Sequence, residues 1–370
     1  MELTDGRVKM GAYKDKERNT WYASFYYRDW NGENKKKTKR GFATKKEALE
    51  FESEFIMMRS SSVNIPLSIF FKMYEQDKKP RIKLNTWLTK ENIVNTHILP
   101  YFGDIKVNEI TPRDIVAWQN ELLKIKDDVG NSYSKTYLRT INSQFSSLFN
   151  HAVRFYGLKE NPIHKAGSIG KKHADETNIW TREEFEKFIE TQKSDSMAEV
   201  GFLILYWGGL RIGELLAVTK EDFDFENNSV TISKSYQRLQ GEDYITDPKT
   251  EMSNRIVYLP QPVMDTIELY IDSRHGYESN DRLFDKTKSY FNHRLKKGTA
   301  QVGNKEIRIH DLRHSHVSLL FEMGFSPVDI ANRMGHENIN ITMRYAHMMP
   351  SKQQDMATSM AKLFGDDEDV

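Results

Sequence analysis

Cysteine is missing from all 370 residues, which excludes disulfides, thiolate nucleophiles and zinc held by cysteine. Any covalent nucleophile must therefore be Ser, Thr, Tyr, Lys or a carboxylate. Neither sign of charge is in excess: 54 basic side chains face 53 acidic ones, for a net charge of +1, so a polyanionic partner has to be argued from local charge. Long apolar runs are lacking too. The longest, Gly201 to Leu210, is about half the roughly 20 residues that a membrane span requires. Met1 to Asp5 has no basic-then-apolar leader pattern, so a cytoplasmic protein with no membrane partner is expected.

A chain of this length exceeds one ordinary core and has room for two or three domains. Residues 20–28, Thr-Trp-Tyr-Ala-Ser-Phe-Tyr-Tyr-Arg, predict a half-buried strand with Trp21, Ala23, Phe25 and Tyr27 on one face and Tyr22, Ser24, Tyr26 and Arg28 on the other. Asp29-Trp30-Asn31-Gly32 is a hairpin signal into a second strand carrying Lys35, Lys36, Lys37, Lys39 and Arg40. Another strand is expected around Met10 to Asp15. Thr44-Lys45-Lys46-Glu47 reads as a capping box opening a helix with Ala48, Phe51 and Phe55 on one side. The first 46 residues hold 13 basic side chains against 6 acidic ones, a local basic excess that the whole-chain charge conceals.

After a linker from Ser60 to Pro66 the pattern turns helical. Pro66 to Tyr74 and Thr86 to Ile98 are periodic, and Thr111-Pro112-Arg113-Asp114 starts a helix with proline at its first position. A longer helix opens near Ser134, with Tyr137, Ile141, Phe145, Leu148 and Ala152 facing inward and Lys135, Arg139, Asn142 and Ser146 outward. Asn161-Pro162 and the polar run 166–178 mark a second linker. Trp180-Thr181-Arg182-Glu183-Glu184 is another capping box, followed by helix up to Leu216. Three short strands are expected over Val230 to Tyr236, Tyr244 to Thr246 and Arg255 to Leu259, with helices returning from Ser289; the terminal Asp366-Asp367-Glu368-Asp369 reads as a solvated tail. The expected fold class is multidomain: an N-terminal three-stranded sheet plus helix over 1–58, an all-α domain over 64–165, and an α+β, mainly helical domain over 175–370.

The chemistry concentrates in His310-Asp311-Leu312-Arg313-His314, Met334-Gly335-His336 and Arg344-Tyr345-Ala346-His347. Taken singly, a histidine or tyrosine is more often structural than catalytic, but the combination suits phosphoryl transfer. A phenol with a pKa of about 10 is a poor nucleophile at neutral pH, so it needs cationic donors around the electrophile and an acceptor for its proton. Guanidinium groups grip a phosphodiester's non-bridging oxygens bidentately. The rival reading, zinc on His310, His314, His316 and His336, lacks a His-Glu-x-x-His motif or a similar carboxylate.

These residues resemble the boxes of the tyrosine recombinase (phage integrase) family, in particular integrases of conjugative transposons and Gram-positive phages. Gly209-Leu210-Arg211-Ile212-Gly213-Glu214-Leu215 looks like the family's first arginine box, His310 to Arg313 like its His-x-x-Arg box, and Met334-Gly335-His336 through Tyr345 like its Gly-His and nucleophile boxes. Met334 and Ser315-His316-Val317-Ser318 depart from the usual residues at packing positions only. The resemblance further implies a lysine at a β-hairpin turn, for which Lys249 in Asp247-Pro248-Lys249-Thr250-Glu251 is the choice and Lys234 the competitor.

What the resemblance implies is an enzyme that cleaves and rejoins DNA through a 3′-phosphotyrosyl intermediate. Tyr345 would be the nucleophile, Arg211, Arg313 and His336 the phosphate clamp, Lys249 the donor to the leaving 5′-oxygen, and His310 an aid to proton transfer from Tyr345. No metal or cofactor is needed, since cationic side chains take that place. The domain at 64–165 resembles a core-binding domain, touching DNA through Lys135 and Arg139. The basic sheet resembles an arm-binding domain that lays Tyr22, Ser24, Tyr26, Arg28 and the Lys35 to Arg40 run into a major groove. Expected partners are double-stranded DNA at core and arm-type attachment sites, three further copies of the chain in a tetramer on DNA, and an excisionase or host DNA-bending protein. The segment Asp355 to Phe364 is amphipathic and would either close its own core or, as the resemblance suggests, dock on a neighbouring protomer. A chromosome-dimer resolving recombinase, a type IB topoisomerase-like relaxing enzyme and a DNA-binding regulator with a dead site are the alternatives; the basic sheet favours integration and excision of a mobile element.

Overall fold

Alternation along the strands builds the N-terminal sheet as expected; the Asp29-Trp30-Asn31-Gly32 turn lies outside the residues the structure describes. A computed structural model of the chain describes residues 11–28, 34–59, 63–126, 129–171, 178–247, 251–345 and Met360. Strands β1 (Ala12–Asp15), β2 (Thr20–Arg28) and β3 (Asn34–Phe42) form an antiparallel sheet in the order β1-β2-β3. Ala23 and Phe25 are buried against Ala48 of helix α1 (Lys45–Arg59), with Trp21, Tyr27, Phe42, Phe51 and Phe55 around them. Thr44 Oγ1 accepts from the Glu47 backbone N–H (3.2 Å), while the Glu47 carboxylate reaches one residue further back, to the N–H of Ala43 (3.0 Å).

The chain divides into two compact units, 1–174 and 175–370. Besides the sheet, the first unit contains helices α2 (Leu67–Lys78), α3 (Leu84–Ile93), α4 (Leu99–Phe102), α5 (Pro112–Lys124), α6 (Lys135–Phe155) and α7 (Pro162–Ala166), packed on a core of their own around Phe70, Trp87, Trp118 and Phe145. Thr111 and Asp114 close a reciprocal capping box at the start of α5. One residue of α6 departs from its expected place: Asn142 is buried, because its amide oxygen accepts from Gln119 (2.8 Å) and its amide nitrogen donates to Ser168 (3.2 Å). A polar side chain supplied with partners in this way is tolerated inside a helical core.

In the second unit, α8 (Arg182–Glu190) opens on the Thr181–Glu184 capping box, and α9 (Ser196–Trp207) follows. The helix expected to run on to Leu216 breaks at Gly208-Gly209, and a short helix α10 (Ile212–Leu215) resumes after Arg211. Strands β4 (Phe223–Asp224), β5 (Ser229–Ile232) and β8 (Arg255–Tyr258) form one sheet, and β6 (Ser235–Leu239) with β7 (Glu242–Thr246) a separate hairpin. The single strand expected over 230–236 is thus two strands in two sheets, divided at Ser233-Lys234. Helix α11 (Gln261–Asp272) was not expected from the sequence; α12 (Lys288–Val302), α13 (Asp311–Glu322), α14 (Pro327–Met334) and α15 (Asn340–Met343) complete the described part. No helix among the described residues is long and apolar enough to cross a membrane. Asp355 to Phe364 and the acidic tail, Met360 apart, lie outside those residues.

Candidate active site

Gly209 has φ of +63°, and a Cβ there would stand 2.6 Å from the His316 ring and 2.9 Å from Met334. Only glycine fits this turn, and the turn delivers Arg211 as the residue that opens α10. The Arg211 backbone N–H donates to Glu214 (2.9 Å) and its guanidinium to the other carboxylate oxygen (2.6 Å). Glu214 is only 3% exposed and also accepts from Arg255 at 2.8 and 3.2 Å. Burial works to raise its pKa, but the hydrogen bond and charge of Arg255 and the charge of Arg211 prevail and hold it down to about 2. The result is a fixed anion that aims Arg211 while leaving its outer side open to solvent.

Arg313 approaches from α13 and is 3% exposed. It donates to the Gly209 carbonyl (2.7 Å) and to the Met334 carbonyl, so one guanidinium ties together the first-arginine turn and the C-terminus of α14. Burial and then the charge of Arg211 press its pKa down to about 9, still cationic at neutral pH. Helix α14 begins at the Ser326 cap and ends at Gly335 in the left-handed region, φ +62°. A Cβ at Gly335 would meet the Met252 carbonyl at 2.7 Å. That turn sets His336, whose Nδ1 is 2.8 Å from the hydroxyl of the fully buried Thr342. Burial first, then the charges of Arg313 and Arg211, push its pKa down to about 3, so the ring is neutral. The contact with the Thr342 hydroxyl engages Nδ1 and so leaves Nε2 as the ring nitrogen available to a ligand.

Tyr345 follows α15 and is 7% exposed, packed with Val317, Phe321, Ile330 and Met334. Residues 338–345 alternate polar and apolar side chains, but residues 340–343 form this short helix, in which Thr342 is buried. The Tyr345 hydroxyl is hydrogen-bonded to Nδ1 of His314, and the two rings stack at 5.5 Å and 29°. His310, one turn earlier, packs edge-on against His314 with ring centres 4.8 Å apart; desolvation, then the charges of His314 and Arg313, lower its pKa. Asp311 is buried and paired with Arg308 (2.8 Å).

The structure therefore brings Arg211, His310, Arg313, His336 and Tyr345 into one unit through a few shared contacts. His314, Glu214, Arg255 and Thr342 were not singled out from the sequence as functional. His314 alone carried a signal, four residues after His310 and so on the same helix face. Lys249 lies outside the described residues. Its competitor Lys234 is engaged by Asp222 (2.8 Å) and the Thr219 hydroxyl (3.1 Å). His316 is buried with Nε2 facing the Arg333 guanidinium at 3.1 Å, an arrangement that suits a core histidine and opposes a metal ligand.

In the first unit the strand register divides the basic run. Tyr22 pairs with Arg40, Ser24 with Thr38 and Tyr26 with Lys36. Arg40 lies over the Tyr22 ring, Lys36 over Tyr26, and the Ser24 and Thr38 hydroxyls are 3.1 Å apart on this open face. Lys35, Lys37 and Lys39 pair with Tyr27, Phe25 and Ala23, and Lys39 sits 4.5 Å from the Phe51 ring on the helix side. The expected single face carrying all of Lys35 to Arg40 is thus corrected to two, because side chains alternate along a strand. Arg28 pairs with Asn34 at the strand end; Lys135 is exposed and Arg139 half-buried on α6.

An oriented phenol gathered with two guanidiniums and neutral imidazoles supplies the groups that phosphoryl transfer to a tyrosine requires. Comparison with known proteins agrees. The Phage integrase family model matches residues 179–352, that of the phage integrase N-terminal SAM-like domain residues 67–123, and that of the Arm DNA-binding domain residues 12–57. The ICEBs1 integrase of Bacillus subtilis (strain 168) is 29% identical over 345 residues, covering 87% of this chain and 91% of that protein. The integrase of Mycobacterium phage L5 is 26% identical, covering 72% and 71%. Among solved structures, the Tn1549 transposon integrase (residues 82–397) in complex with a circular intermediate DNA superposes with a TM-score of 0.65 at 21% identity, covering 81% of this chain and 99% of that one. A lambda integrase tetramer bound to a Holliday junction gives 0.58 at 16% identity, covering 90% and 94%; these two likenesses show the fold. The chain belongs to the phage integrase, or tyrosine recombinase, family, and is a tyrosine site-specific recombinase of the integrase type.

Proposed function

We propose that this recombinase integrates and excises a mobile element by cutting and rejoining duplex DNA through Tyr345. The phenolic oxygen attacks a phosphodiester to form a 3′-phosphotyrosyl enzyme and a free 5′-hydroxyl, and the 5′-hydroxyl of another strand reverses the step, so bond energy is conserved without nucleotide hydrolysis. Arg211, Arg313 and His336 hold the non-bridging oxygens, a role in which each preorganised donor contributes roughly 3–4 kcal/mol. The observation that carries this is the tie from Arg313 to the Gly209 and Met334 carbonyls, which supports a phosphate clamp built from the same turn that carries Arg211. Lys249 protonates the leaving 5′-oxygen; the engagement of Lys234 by Asp222 supports that choice. His310 supports proton movement from the same helix start.

Residues 1–58 form an arm-type DNA-binding domain, 64–165 a core-binding domain that uses Lys135 and Arg139, and 175–370 the catalytic domain. Duplex DNA with core and arm sites, a homotetramer on that DNA and an excisionase or host DNA-bending protein are the partners. The match of an Arm DNA-binding model to residues 12–57 favours integration and excision over a chromosome-dimer resolvase or a relaxing topoisomerase. The test uses nicked duplexes tiling the DNA that flanks the chain's own coding region, incubated with the full chain in chelator. A covalent adduct on denaturing gels is expected, and none with Tyr345→Phe; an adduct with Tyr345→Phe, or none with the unaltered chain, refutes the mechanism.

A further inference from the structure

Two imidazoles stand one helical turn apart at the start of α13, and the Tyr345 hydroxyl is hydrogen-bonded to the second, at Nδ1 of His314. The two rings also stack, with centres 5.5 Å apart at 29°, which orients the His314 ring toward the phenol. Three guanidiniums act on His314 through their charge: Arg313 on its own helix, Arg308 from the turn before, and Arg344 next to Tyr345; the Asp311 carboxylate, which opposes them, is paired with Arg308. His310 closes the remaining edge. Burial and these cations disfavour a protonated ring, despite Asp311, so His314 rests neutral. A neutral ring with its proton on Nε2 offers a lone pair at Nδ1 to the phenol.

We propose that His314 is a catalytic residue that takes the phenolic proton as Tyr345 attacks phosphorus. This rests on Tyr345 being the nucleophile, as proposed above. The bond from Tyr345 Oη to phosphorus forms and the bond from phosphorus to the 5′-oxygen breaks. The phenolic proton passes to His314 Nδ1, and the departing oxygen takes a proton from Lys249. Religation returns the first proton to Tyr345, a return that the surrounding guanidiniums favour. His310 then acts as a positioning residue that keeps the His314 ring in its stacked orientation.

The test measures single-turnover adduct formation by the full chain on the duplex that yields the adduct, compared with a version whose 5′-bridging oxygen is sulfur, a leaving group that needs no proton. His314→Ala and His314→Asn are each expected to lose about 100-fold or more, the usual worth of a general base, with unchanged DNA affinity and the same loss on sulfur. The unaltered enzyme's rate should fall as pH drops through the His314 titration and level off above it, whereas the variants' rates should keep climbing with pH. Added imidazole should restore part of the His314→Ala rate. The proposal is overturned if His314→Asn works within about threefold of the unaltered enzyme with the same pH profile, since a hydrogen bond alone would then suffice. It is equally overturned if the loss disappears with sulfur, which would place His314 at the leaving oxygen. An adduct with Tyr345→Phe would instead sink the nucleophile assignment, so the two failures are distinct.

Discussion

Replacing Glu214 with glutamine keeps the shape of the side chain and removes the charge that two guanidiniums share. Its carboxylate has its pKa held down to about 2, against an ordinary 4.5, and at about 1.4 kcal/mol per unit the difference corresponds to roughly 3 kcal/mol of folding stability at neutral pH. Loss of one partner from a buried ion pair costs a similar 3–5 kcal/mol or so, and here it strands the Arg255 guanidinium. The pH dependence follows from the sign. A group whose pKa is depressed by folding stabilises fully above its unfolded pKa, and the contribution drains away as pH falls toward the folded value. The gap between the unaltered chain and Glu214→Gln should therefore be constant from pH 7 to about 5, then shrink by about 1.4 kcal/mol per unit below about 4.5. Because the chain has two units, local hydrogen exchange is the better assay. The amides of Leu215 and Leu216, bonded to the Arg211 and Ile212 carbonyls, report the opening of α10. A gap below about 0.5 kcal/mol at pH 7, or one that stays the same at pH 3.5, would refute the argument that Glu214 anchors the first arginine.

Gly209→Ala should destabilise the second unit by about 1–3 kcal/mol and slow adduct formation, since the methyl group meets His316 and Met334; a thermal midpoint unchanged from the parent would contradict this. Thr342→Val leaves Nδ1 of His336 without its hydroxyl, at a cost of about 1–3 kcal/mol, and is expected to lower the adduct rate on the order of tenfold, with Thr342→Ser restoring it. The sheet gives a paired prediction. Lys36→Ala with Arg40→Ala should weaken binding to the distal arm repeat, leaving core cleavage intact, whereas Lys37→Ala with Lys39→Ala should act mainly on stability; equal loss from both pairs in a binding titration would refute a single reading face.

The parts of this protein that were legible in the sequence are those whose cause is local. Strand β2 alternates because one face meets α1, and a period of two records that directly. The caps at Thr111 and Thr181 were readable because each closes within three residues. Even helix α11 left its signal, with Val263, Met264, Ile267 and Tyr270 at helical spacing; its start at Pro260-Gln261-Pro262 resembles a loop, although proline is allowed in a helix's first turn. The division of residues 230–236 left none, because alternation does not say to which sheet a strand belongs.

The candidate site divides along the same line. His310 and Arg313 sit on one helical turn, so their convergence follows from spacing alone. The contacts that gather the remaining residues do not: Arg313 reaches the Gly209 carbonyl across 104 positions, and Arg255 reaches Glu214 across 41. His314 lies within the most conspicuous motif of the chain, yet its partner Tyr345 is 31 residues away, and nothing in either segment says which of two adjacent-turn imidazoles the phenol will meet. Tyr345 shares a buried cluster with Val317, Phe321, Ile330 and Met334, contacts that no local pattern announces. A motif supplies the inventory for phosphoryl transfer, but contacts far apart in the sequence decide which imidazole meets the Tyr345 hydroxyl.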